Sequence, residues 1–181
     1  MALRRPHILL LSALLVCVFA LAVPAGAAAD SCANASASPS SVTSKTAMRT
    51  TACLLNQERA KRGLRKVKFN GRLSKAAARH ARDMVRRHYF SHYSPSGSSF
   101  LHRIKRAGYL KRARSWTAGE NIAWGSGGRA TPSSIVRAWM NSPGHKANIL
   151  NRRFREIGLG IVRSAPNGGG ATYVNTFGYR R

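Results

Sequence analysis

The sequence predicts an α+β fold in which a small antiparallel sheet is covered by helices. Two kinds of pattern predict it. Apolar residues recur at helical spacing in several separate stretches before residue 151, and two runs near the C-terminus alternate around a glycine-rich turn. Size adds a third constraint: about 150 residues follow an N-terminal leader, enough for one domain with a real core.

The leader is residues 1–29. Arg4 and Arg5 form a basic start, Ile8 to Leu21 an apolar run too short to span a bilayer, and Pro24 breaks it before the small residues Ala25, Ala27 and Ala29. This is the pattern of a cleaved signal peptide, so the mature chain is expected to be secreted, without a transmembrane segment, and to act as a monomer. Residues 30–45, rich in Ser and Ala, read as a disordered linker.

A first helix is expected from about Thr46, with Met48, Ala52 and Leu55 on one face and Gly63 as its stop. Val67 and Phe69 form an extended bridge, and Asn70-Gly71 turns into a second helix over about Leu73–His88. Its apolar stripe is Leu73, Ala76, Ala77, Ala81, Met84 and Val85, while Arg79, Arg82, Arg86 and Arg87 lie mostly off it. Ser91–Gly97 is a polar turn. Phe100, Leu101, Ile104 and Ala107 mark a short helix ended by Gly108, and Trp116–Trp124 is extended. Ser126–Arg129 is a flexible loop with no phosphate-cradling motif. Thr131-Pro132 opens another helix carrying Ile135, Val136, Trp139 and Met140 inward, and Ser142-Pro143-Gly144 breaks it before His145. Ile157, Leu159 and Ile161 alternate with glycines as a strand. Asn167–Gly170 is a hairpin loop, and Ala171–Tyr179 is the partner strand with Tyr173 and Phe177 inward.

The chain has 31 Lys and Arg against five Asp and Glu, a formal net charge of +26, and only Arg4 and Arg5 of these lie in the leader. Such a charge favours an anionic cell-envelope polymer or lipid as partner; a protein partner fits as well, and secretion disfavours nucleic acid. Two cysteines remain after cleavage. Either Cys32 and Cys53 pair, stapling the tail to the first helix, or Cys53 is a small buried thiol and Cys32 stays free.

Against this basic background Glu120 stands out. It is one of five acidic residues and sits in a small, glycine-flanked apolar run, with His92 upstream in a turn and His145 downstream at another. Two imidazoles and a carboxylate on three turns are what a cleft needs to bind a divalent cation such as zinc or to shuttle a proton. His80 and His88 read instead as packing or surface histidines. Trp116, Trp124 and Trp139 read as core or cleft wall.

The runs LLNQERAKRG, FSHYSPSG, AGENIAWG, WMNSPGHKANILN and FREIGLGIV, in this order, resemble the CAP superfamily of cysteine-rich secretory, antigen 5 and pathogenesis-related proteins, in its bacterial SCP-like secreted branch. The resemblance covers Ala47 to Tyr179 and makes residues 46–181 the CAP domain. It implies a three-layer α-β-α sandwich with a three-stranded antiparallel sheet and a cleft in which His92, Glu120 and His145 match the family's histidines and first glutamate. Ser142 stands where eukaryotic members carry a second glutamate, and Val174 where relatives often have tryptophan. Asn56 and Arg59 match an N-x-x-R pattern that ties the first helix to a neighbouring loop. The expected function is a secreted binding module whose cleft holds a divalent metal or small ligand. The alternative is a metal-assisted hydrolase or protease using His92, Glu120 and His145.

Overall fold

The computed structural model describes residues 32–181, so the signal-peptide expectation lies outside the described residues. The elements in order are α1 Ser44–Ala60, β1 Lys68–Phe69, α2 Gly71–Arg86, α3 Phe100–Arg106, β2 Trp116–Gly125, α4 Pro132–Asn141, α5 Pro143–Ile149, β3 Glu156–Val162 and β4 Ala171–Arg180. Strand order is β1-β3-β4-β2. The three long strands are antiparallel, as expected. Lys68–Phe69 adds a two-residue parallel edge against Glu156 and Ile157, so the sheet is mixed and four-stranded.

The pleat sorts side chains to two faces. Ile157, Leu159, Ile161, Tyr173 and Phe177 pack under α1, α4 and α5 around Leu55, Ile135, Trp139 and Ile149. Ile122 and Val174 face the opposite way and pack with Ala77, Ala81 and Met84 of α2. The result is the α-β-α sandwich. Val174, where relatives often have tryptophan, is thus a buried contact of α2. The approach of α2 to the sheet depends on Gly158 and Gly160. A Cβ at either would run into the α2 backbone near Leu73–Ser74 or Ala77–Ala78. The alanines of α2 answer those glycines, since small residues on both sides let helix and strand meet backbone to backbone.

Caps shift the helix boundaries from those expected. The Thr43 side chain accepts from the Thr46 amide, which starts α1 at Ser44. Asn70 accepts from the Arg72 and Leu73 amides and starts α2 at Gly71. That helix ends at Arg86 because His88 turns left-handed (φ +54°) and its Nδ1–H donates to the Pro166 carbonyl at 2.8 Å. The glycine-rich stretch after β2 is wound into a 3₁₀ turn, Gly127–Ala130.

Two ties hold α1. Arg59 is fully buried and donates to the carbonyls of Arg65, Ile149, Asn151 and Phe154. Burial, and then the charge of Arg155, lowers its pKa. Asn56 donates to and accepts from the Val67 backbone. The second tie joins the N-terminal tail, expected as an unstructured linker. From Cys32 onward that tail is held to the domain. Cys32 and Cys53 form a disulfide with Cα atoms 5.8 Å apart, Thr50 donates to the Ala33 carbonyl, and the Ser133 amide to the Ala35 carbonyl. A Ser/Ala composition read as linker is overridden by one covalent staple and two backbone anchors. Closing a loop of 21 residues restricts the unfolded chain, so Cys32→Ser/Cys53→Ser is expected to lose about 3 kcal/mol of unfolding free energy. Urea denaturation of the variant beside the oxidised and reduced wild type checks this.

Candidate functional site

Strand β2 is a sheet edge, and consecutive residues of its GENI run face opposite layers. Gly119 comes first. A Cβ there would lie 2.6 Å from Asn148 Oδ1, so only glycine lets α5 come this close. Glu120 turns to the α2 side and meets the loop carrying His92. Asn121 turns to the other side, where its Nδ2 donates to the His145 carbonyl at 3.0 Å and its Oδ1 accepts from Asn148 Nδ2 at 2.9 Å. Asn148 Nδ2 also reaches the Glu120 carbonyl at 3.3 Å. Ile122 fills the core, and its carbonyl accepts from Trp139 Nε1 at 3.1 Å. Side chains from α4 and α5 thereby cover carbonyls of the edge strand that would otherwise invite another strand.

The Glu120 carboxylate is almost fully buried, its side chain 2% exposed. Burying an unpaired charge is prohibitively costly, and this one is paired twice. Arg103 Nη2 donates to both oxygens, at 2.8 and 2.9 Å, and His92 Nδ1–H donates to Oε1 at 2.9 Å. Arg103 also donates to the His92 carbonyl at 3.0 Å and the Ser98 carbonyl at 2.8 Å. One guanidinium therefore neutralises the carboxylate and pins the loop that bears the histidine. Sequence reasoning missed Arg103, Asn121 and Asn148. A signal for Arg103 existed: it falls three residues after Phe100 and four before Ala107, on the apolar stripe of α3.

The arrangement brings the expected residues into one region. His145 lies near enough to His92 for the charge of His92 to oppose protonation of His145. Burial lowers the His145 pKa first and His92 lowers it further. Among the described residues, no group of three or more His, Cys, Asp or Glu side chains is placed to hold a metal ion together. Glu120 is committed to Arg103 and His92, so it fits the role of orienting a histidine better than that of a ligand. Trp139 is core, as expected. Trp116 and Trp124 lie exposed at the two ends of β2, where the strand runs to the margin of the sandwich.

His80, expected as a packing or surface histidine, is buried. Its Nε2–H donates to the Ser91 carbonyl at 2.9 Å, and its Nδ1 lies 3.4 Å from the hydroxyl of Tyr89, which donates to Asp83. Its pKa is lowered, chiefly by burial; Glu120 and Asp83 act against that and Arg103 with it.

The matching family model is that of the CAP, cysteine-rich secretory protein family, over residues 53–177. The chain is 44% identical over 111 residues to YkwD, an uncharacterised protein of Bacillus subtilis, a match covering 61% of this chain and 40% of that one. It is 33% identical over 110 residues to YlbC, an uncharacterised membrane protein of the same organism, covering 61% and 30%. The chain thus spans less than half the length of either relative. Among solved structures, an outer surface protein of Borrelia burgdorferi superposes with a TM-score of 0.65 at 23% identity, over 77% of this chain and 97% of that one. An extracellular Bacillus anthracis protein containing an SCP domain gives 0.59 at 25% identity, over 75% and 43%.

Two outcomes follow from this geometry. Arg103→Met strands a buried carboxylate and is expected to cost about 3–5 kcal/mol at neutral pH, most of it recovered in Arg103→Met/Glu120→Gln; a double-mutant cycle by chemical denaturation measures the coupling. The histidines set a pH dependence. Unfolded imidazoles take up protons near pH 6.5, whereas His80 and His145 do so lower when folded. The unfolded chain then binds more protons, so stability is full above about pH 6.5 and falls on acidification through that value. The denaturation midpoint is expected to drop as pH falls, and to drop less in His80→Asn.

Proposed function

The chain belongs to the CAP, or cysteine-rich secretory protein, family, and from that membership we propose that it works outside the cell as a binding module whose cleft holds a divalent cation between His92 and His145. The extracellular description of the Bacillus anthracis relative and the leader-like residues 1–29 support the location. No helix among the described residues is long and apolar enough to cross a membrane.

One observation carries the reading of the site: the carboxylate–imidazole pair of Glu120 and His92. With Nδ1–H donated to the carboxylate at 2.9 Å, the lone pair of His92 is on Nε2. Metal-ligating histidines are held in this way, with the far nitrogen on a carboxylate that fixes tautomer and ring angle. His145 supplies the second donor in the neutral form a metal needs, because burial and His92 both disfavour its protonation. Glu120 is a positioning residue in this scheme, held in place by Arg103. A cation gripped by two imidazoles keeps open positions for a carbonyl or anionic group of a partner. The hydrolase alternative has less support. A general base needs an oxygen free to take a proton from water, and both oxygens of Glu120 are engaged by Arg103 and His92.

Zinc calorimetry tests the proposal. Wild type is expected to take up one zinc ion, and His92→Ala and His145→Ala each to abolish uptake while remaining folded. Glu120→Gln keeps both donors and is expected to weaken binding by about 10–100-fold. No uptake by the folded wild type, or uptake unchanged in both alanine variants, overturns it.

A further inference from the structure

Beyond the imidazole cleft, the outer face of α2, the 91–99 loop and α3 enclose a groove of about 690 Å³. Arg79, Arg82, Arg86, Arg87 and Arg106 line it, with Asp83 as the sole carboxylate of its lining. Asp83 lies 3.4 Å from Arg86 and 4.0 Å from Arg87, and it also accepts from the Tyr89 hydroxyl at 2.6 Å. Among the described residues no carboxylate lies within ion-pair distance of Arg79, Arg82 or Arg106. Arg79, Arg82 and Arg86 follow one another at helical spacing along one face. Like charges so spaced disfavour the helix, so the row works against the fold that carries it.

From this we propose that the groove is a second binding site, and that its ligand is a hydroxyl-rich phosphodiester chain, a polymer of polyol or sugar phosphates. Guanidinium forks match phosphate oxygens in pairs. At 1.5 Å rise per residue the row from Arg79 to Arg86 extends about 10 Å, more than one phosphate can bridge. The ligand therefore repeats its charge. The opposite wall supplies Ser94, Ser96 and Ser98, whose hydroxyls suit the alcohols between phosphates. The exposed aromatics Phe69, Phe90, Tyr93, Trp116 and Trp124 all lie outside the lining. A single-stranded nucleic acid would want such rings for stacking, and the groove has none; a bilayer surface would want an apolar face to insert, whereas Ala76, Val85 and Val162 are recessed among the arginines and serines of the lining. The groove shares Arg103 with the imidazole cleft, but His92 and His145 are not in its lining and the proposal does not require a cation between them.

Binding of a short poly(glycerol phosphate) to the full mature chain tests this, with variants that change charge equally in two places. Arg79→Gln/Arg82→Gln/Arg106→Gln empties the groove of its unpaired cations. Lys66→Gln/Lys68→Gln/Arg112→Gln removes the same charge from a second basic depression, which also holds Phe69 and Tyr179. All six side chains are exposed, so both variants are expected to fold, and unfolding midpoints verify it. The groove variant is expected to bind at least ~10-fold more weakly, with a slope of log K against log salt shallower by about 2. The control is expected to stay within about twofold of wild type. Equal losses in the two variants would reduce the effect to diffuse net charge and overturn the proposal. So would a larger loss in the control, or tighter binding to oligothymidylate or to phosphatidylglycerol vesicles than to poly(glycerol phosphate) at equal phosphate.

Discussion

A carboxylate that is 2% exposed needs a cation beside it, and in this protein the cation is Arg103. That pairing organises one half of the cleft. The guanidinium reaches from α3 across the 91–99 loop to strand β2, touching carbonyls of His92 and Ser98 on the way. Three segments distant in sequence meet because one charge cannot be buried without the other. The orientation of His92 follows from the same constraint, since the carboxylate that accepts from its Nδ1–H is held in place by the arginine.

The other half of the cleft is organised by neighbouring residues of the same strand. Strand pleating sends Glu120 to one layer and Asn121 to the other. Asn121 and Asn148 then hold α5 against the strand, and Gly119 leaves the space for them to do so. The two histidines approach from opposite layers around an edge strand. Three consecutive residues thus account for why His92 and His145 share a region although 53 positions separate them.

Much of the scaffold is legible in the sequence because it is periodic. The stripe of α2, the inward residues of β4 and the glycines of β3 all follow from spacing, and Arg59 and Asn56 tie α1 as the family resemblance implied. What escaped has physical reasons. A two-residue parallel edge at Lys68–Phe69 is too short to show alternation. Two cysteines in sequence carry no distance, so their pairing is legible only in the fold, where their Cα atoms lie 5.8 Å apart. Arg103 was hidden among 31 basic residues, where one more arginine carries no signal unless its place on an apolar stripe is noticed. Missing it made Glu120 look like a free donor, when the structure gives its oxygens to a guanidinium and an imidazole.

The charge excess is also unevenly used. Glu58, Asp83 and Glu120 each sit beside an arginine or lysine, yet a row of arginines on α2 and α3 faces a groove with little to neutralise it. Arginine can stabilise the interior of this domain at Arg59 and Arg103 and still be held unpaired at its surface, which distinguishes structural cations from cations free to meet a ligand.

The carboxylate that Arg103 neutralises fixes the tautomer of His92. Nitrogen-15 NMR of the imidazole rings reads that state directly at neutral pH. His92 is expected to carry its proton on Nδ1, hydrogen-bonded to Glu120, and Glu120→Gln is expected to shift that resonance. A neutral His92 ring protonated on Nε2, with Nδ1 bare, or a spectrum indifferent to Glu120, would contradict it.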